Sequence, residues 1–189
     1  MKTTTMKRSI AIPFGLACCL TFLLSPPGLA AGFPGQVDFG TFDPPEDGEF
    51  IEVRINSNLI NMAARLTEKA EPDVARMLRN LKAVRVNVIG LTDENRDEIT
   101  QRVQTVRRQL DEQGWERIVT VRDRNEDVGV YLKLRGEEAV EGLVVTVTDG
   151  QGEAVFVNIV GEIRPEQVAE IGERLHIEPL KQLGQVLNE

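Results

Sequence analysis

The stretch AVFVNIVGEIRPEQVAEI, Ala154 to Ile171, holds the most apolar run in the second half of the 189-residue chain. Successive side chains of a strand alternate between faces, so Val155, Val157 and Ile159 point one way and Ala154, Phe156 and Val160 the other. Both sets are apolar, which predicts a strand inside a sheet or under a second cover. Asn158 is the exception, and a buried carboxamide requires hydrogen-bond partners. Gly161 is expected to let the chain turn. Pro165 is expected to open a helix with Val168, Ile171, Gly172 and Leu175 on one face. The corner therefore reads as the central staple of a fold, with Asn158 the residue to follow.

Outward from it, Trp115–Asp123, Val128–Arg135 and Gly142–Asp149 are also strand-like, and RNED and DGQG join adjacent runs as hairpin turns. Gly136–Glu141 links the two hairpins. Earlier, FIEVRI (Phe50–Ile55) and KAVRVNVIG (Lys82–Gly90) alternate as half-buried strands. Asn56 and Ser57 suit the cap of a helix with the stripe Leu59, Met62, Ala63, Leu66 and Ala70. Pro72 opens a second helix, with Val74, Met77, Leu78 and Leu81 inward. Thr92, Asp93 and Glu94 suit the start of a third, whose stripe is Ile99, Val103, Val106 and Leu110 and which ends at Gly114. Leu180, Leu183 and Leu187 suggest a last helical turn. The pattern predicts an α+β domain over residues 50–189, with a mainly antiparallel sheet of about six strands and three to four helices on one face.

Residues 1–31 read differently. Lys2, Lys7 and Arg8 precede an apolar core, Ser9–Leu24, and small residues follow at Gly28, Ala30 and Ala31. That order is a secretory signal, with cleavage expected after Ala31. Cys18 and Cys19 sit poorly for lipidation, since apolar Leu20–Leu24 follows them, so a lipid anchor is the lesser alternative. Gly32–Glu49 is rich in Gly, Pro and Asp and reads as a flexible mature N-terminus, although Phe33, Phe39 and Phe42 are unusual for a pure tether and open the alternative that part of it packs on the domain. The first 31 residues hold three of the 22 basic residues and none of the 30 acidic ones, so the remainder carries 19 against 30, a net charge of −11. That balance argues against nucleic acid, whose affinity comes largely from phosphate neutralisation. Both cysteines lie in the signal, so the mature chain is expected to have no disulfide, thiol nucleophile or cysteine metal site.

Few residues suggest chemistry. His176 is the only histidine, and Ser57, the one serine past the signal, already has a place as a cap; a catalytic pair needs the two in contact. DRNEDVG, Asp123–Gly129, has carboxylates and an amide on alternating positions, but Val128 and Leu134 stand where a calcium loop needs Gly and Glu. Glu137, Glu138, Glu141 and Asp93, Glu94, Asp97, Glu98 read as solvated faces and helix starts. Cofactor, metal and catalytic residues are therefore expected to be none.

The feature with most functional promise is a sheet face. With Ile51, Val53, Ile55 and the valines of the central strands placed under the helices, alternation sends Arg54, Arg85, Asn87, Tyr131, Lys133 and Arg135 to the opposite face, joined by Phe156 and Asn158. The plainer reading of such a face is the ordinary solvated side of an antiparallel sheet. The sharper one, for a positive and partly aromatic surface on an acidic chain, is a protein partner or self-association, since Tyr, Phe and Arg favour interfaces.

The segment Trp115–Leu175 resembles the exported bacterial family catalogued as domain of unknown function 4252. The likeness lies in YLKLRGEEAVEGLVVTV (Tyr131–Val147), then AVFVNIVGEI (Ala154–Ile163), then a helix, with Gly142–Leu143 and Asn158–Gly161 carrying most of it. The resemblance implies a bacterial envelope protein, secreted or lipid-anchored, with no established enzyme activity and, through envelope sigma-factor regulation, a link to stress signalling. With the signal of residues 1–31, the expected location is periplasmic or extracellular. The expectation is a non-enzymatic binding or accessory protein. The alternatives are a periplasmic hydrolase using acidic residues, which needs a pocket of converging carboxylates, and a homodimeric structural protein.

Overall fold

Each alternating run becomes a strand in the computed structural model of the protein, which describes residues 32–136, 139–150 and 152–164. The strands are β1 (Phe50–Asn56), β2 (Leu81–Gly90), β3 (Glu116–Arg122), β4 (Glu126–Arg135), β5 (Ala139–Asp149) and β6 (Glu153–Ile163). They form one sheet, ordered β1-β2-β6-β5-β4-β3, and every neighbouring pair is antiparallel. β6 thus lies between β2 and β5, as its two apolar faces require. Three helices are described: α1 (Ser57–Thr67), α2 (Pro72–Asn80) and α3 (Arg96–Glu112). The fold is α+β.

The local signals act where chemistry places them. The Asn56 side chain accepts from the amides of Asn58 and Leu59, both at 3.1 Å, and so caps α1. Pro72 takes the first turn of α2, where its missing N–H costs nothing. Gly114, at φ 72, follows α3 in the left-handed region that favours glycine.

The helices divide between the faces of the sheet instead of sharing one. Ile60 of α1 and Met77 of α2 join one core with Val128, Val145, Val157 and Ile159. α3 lays Ile99, Val103, Val106 and Leu110 on the other face, against Ile89, Val144 and Phe156. Topology explains this: α3 must carry the chain from β2, near one edge, to β3 at the far edge, before the meander returns through β4 and β5 to β6.

Two further expectations change, on α1 and at Gly161, and one alternative is decided. Residues 32–49 are not simply a loose lead. Val37, Phe39 and Phe42 are only 5%, 1% and 7% exposed and pack on the α3 face. On α1 the sheet-facing residues are Ile60 and Ala64, while Leu59, Met62 and Leu66 are 47%, 56% and 76% exposed. This helix is apolar on more than one side, and β1 runs into it without a loop, so the cap at Asn56 sets its rotation. Gly161 does not turn the chain, since β6 continues to Ile163. A Cβ there would stand 2.5 Å from the Asn80 carbonyl oxygen, so glycine serves close approach to β2. The expected cleavage site, Cys18, Cys19, Glu137, Glu138, the helix from Pro165, His176 and the final turn lie outside the described residues.

Candidate functional site

The register aligns much of the predicted face. One row runs across all six strands: Arg54, Arg85, Asn158, Val144, Tyr131, Arg117. Beside it, Asn87 pairs with Phe156 and Phe156 with Thr146. The alternation was read correctly. The exposure divides: α3 and residues 35–42 cover the middle of this face, while Arg54 and Arg135 stay exposed. Tyr131 and Phe156 are fully buried, and Asn87 and Asn158 are 1% and 2% exposed.

The eight predicted residues have structural roles there. Asn158 accepts from the Val37 amide at 3.0 Å and donates to the carbonyls of Gly35, at 3.0 Å, and Leu143, at 3.2 Å. Its carboxamide thus clamps the backbone of the N-terminal strap. Phe156 receives Phe39 and Phe42, with ring centroids 5.5 and 5.0 Å away. Arg85 reaches Asp38 of the strap at 3.6 Å. Asn87 donates to Glu52 Oε1 at 3.3 Å, and Arg54 Nε donates to the same oxygen at 2.7 Å. The Arg54 hydrogen bond, with help from Asn87, holds the Glu52 carboxyl below its usual range against the opposing effect of desolvation. Lys133 Nζ donates to the Gln113 carbonyl at 2.5 Å, placing a cation at the C-terminal end of α3. Arg135 pairs with Glu162 at 2.7 Å, which raises its pKa further.

Sequence reasoning missed two arginines on this face. Arg102 donates to the Phe39 carbonyl at 3.0 Å and lies over the Phe42 ring, 5.4 Å from its centroid. Arg107 is buried. Its Nε and Nη2 donate to Thr146 Oγ1 at 3.2 and 3.1 Å, and its Nη1 pairs with Asp127 Oδ1 at 2.7 Å. Room for it exists because residue 129 is glycine: a Cβ there would meet Tyr131 at 2.9 Å, Thr146 at 3.1 Å and Arg107 at 3.2 Å. The signal was a charge at a core spacing, four residues after Val103 and three before Leu110. Near it the Tyr131 hydroxyl is buried without a hydrogen-bond partner among the described residues. Arg117 lies over the Tyr131 ring, 5.2 Å from its centroid. Burial raises the phenol pKa, against the lowering effect of Arg117 and Arg107.

Arg107 also lines the bottom of a groove of about 620 Å³ between α3, the β3–β4 turn and the β5–β6 turn. Six arginines and five carboxylates line it. Most of the carboxylates are engaged. Asp127 holds Arg107, and Arg122 at 3.6 Å; Asp111 holds Arg117 at 2.7 Å. Asp123 Oδ1 accepts from the amides of Asn125 at 2.6 Å and Glu126 at 2.8 Å, so DRNEDVG is a hairpin turn closed by its own aspartate. Asp149 Oδ1 accepts from the Glu153 amide at 2.9 Å, and the Gly150 amide bonds the Asn125 carbonyl, joining the two turns. Arg96, Arg108 and Arg124 are exposed and have no ion pair among the described residues. The groove was legible only as an i, i+4 ladder along α3, Arg96–Thr100–Gln104–Arg108. No group of three metal-ligating side chains occurs among the described residues. No described helix is long and apolar enough to cross a membrane.

The family model described as Domain of unknown function (DUF4252) matches residues 42–171, more than half of the chain, and the chain belongs to that family. No curated protein and no solved structure matches it.

Proposed function

We propose that the protein is an exported, non-enzymatic binding or accessory protein of the bacterial cell envelope, and that it engages its partner through the arginine groove along α3. The observation that carries this is the gathering of six arginines in one recess of a chain whose overall charge is −8. Export rests on the basic-apolar-small order of residues 1–31. Binding is favoured over hydrolysis because Asp111, Asp123 and Asp127 already hold arginines or close a turn, whereas a general acid or base needs a carboxyl turned to the substrate. The family likeness supports placing that role in envelope stress signalling.

The test is capture from a periplasmic extract on the mature chain, residues 32–189, beside a variant carrying Arg96→Ala, Arg108→Ala and Arg124→Ala. The proposal expects at least one partner on the wild type that the variant loses; identical captures on both would refute it. Self-association is a second reading, supported by exposed Ile51 and Val53 on edge strand β1 and by Leu59, Met62 and Leu66 on α1. A monomer by light scattering at high concentration argues against it.

A further inference from the structure

The charge inventory of the groove narrows what it can hold. With Arg107, Arg117 and Arg122 paired, the cations left over are Arg96, Arg108 and Arg124. Arg96 and Arg108 stand 12 residues apart on α3, which at 1.5 Å per residue is about 18 Å along the groove. Arg124 faces them from the β3–β4 turn. Guanidinium is a planar fork that matches carboxylate in a bidentate pair. An extended chain rises roughly 3.3 Å per residue, so about five to six residues span the distance between the outer arginines.

Resting on the reading of the groove as a binding surface, we infer that its ligand is an extended acidic segment of a partner protein, with carboxylates about five residues apart. A continuous polyanion fits less well. Between the arginines it meets Glu126 and the turn aspartates, and the whole chain repels it. A bilayer fits less well because the floor, Arg107, is recessed below the turns, with its side chain only 11% exposed.

The experiment is fluorescence anisotropy on the mature chain. The probe is a dye-labelled, end-blocked hexapeptide with glutamate at both ends and serine between, set against its twin with glutamine ends. Exposed carboxylate–arginine pairs are individually weak, so the acidic peptide should lose about tenfold in affinity on Arg96→Ala, Arg108→Ala and Arg124→Ala together. Removing the same charge elsewhere, with Arg65→Ala, Lys69→Ala and Lys82→Ala, should change it less than about twofold. Equal binding of the glutamine twin, an equal loss in the remote variant, or no binding to wild type overturns the inference. So does preference for phosphatidylglycerol vesicles over the peptide. If the peptide fails while capture from extract still depends on the three arginines, the ligand class is wrong and the surface stands. If capture ignores them, the surface itself is wrong.

Discussion

Asn158→Leu tests the strap most sharply, because the substitution keeps the size of the side chain and removes only its polar contacts. Three hydrogen bonds are lost, at 3.0, 3.0 and 3.2 Å. A buried hydrogen bond contributes about 1 kcal/mol net, and an orphaned partner costs about 1–3 kcal/mol. If the strap stays down, the Val37 amide and the Gly35 carbonyl are left unsatisfied beneath it, and the loss is about 3–5 kcal/mol. If it lifts, those groups regain water, but Val37, Phe39 and Phe42 leave the core at about 1.5–3 kcal/mol each, partly offset by the freedom the strap recovers. Either course destabilises the domain by about 3 kcal/mol or more, or roughly 6–12 °C in Tm for a domain of this size. Urea denaturation gives the free energy, and amide hydrogen exchange at Val37 separates the two courses: faster exchange alongside intact core amides means the strap has lifted. A loss below about 1 kcal/mol with Val37 still protected would refute the claim that Asn158 holds the strap.

Other perturbations follow from the same geometry. Tyr131→Phe removes a buried, unpartnered hydroxyl and is expected to be neutral or to stabilise by up to about 1 kcal/mol in urea melts. Burial raises the folded-state pKa of Tyr131 above its ordinary 10.0. The folded state therefore holds this proton more tightly than the unfolded state. Stability should be intact below pH 10.0 and fall as pH rises beyond it, and Tyr131→Phe should flatten that fall in alkaline melts. Gly129→Ala drives a methyl toward Tyr131, Thr146 and Arg107, all within 3.2 Å, and should cost about 1–3 kcal/mol by overpacking. Arg107→Met strands Asp127 and Thr146 and should cost about 2 kcal/mol, against little change for exposed Arg108→Met, with both read by chemical denaturation.

The fold is legible wherever a local signal has a single reading. The two apolar faces of β6 predicted an interior strand, Pro72 and Asn56 marked helix starts, and the narrow stripe of α3 named its own buried residues. α1 was misread because Leu59–Leu66 offers overlapping stripes, and only the rotation set by the cap chooses between them. The candidate site was half legible. Alternation sorted Arg54, Arg85, Asn158 and Tyr131 onto one face, but whether a face is covered depends on strand order. That order sends α3 and the strap across it, and no short stretch of sequence encodes it. Asn158 was the residue to follow, and its clamp on Gly35 and Val37 shows why a carboxamide sits in an apolar strand. Arg107 escapes a reading of the sequence because a charge at a core spacing looks like part of the charged side of the helix.

Hydrogen exchange by mass spectrometry on residues 32–189, with and without a partner captured in the experiment proposed above, tests the central claim most directly. New protection along the exposed side of Arg96–Asp111 and in the turn around Arg124 is the predicted result. Protection confined to Leu59–Leu66 and β1, with the groove unchanged, would contradict it.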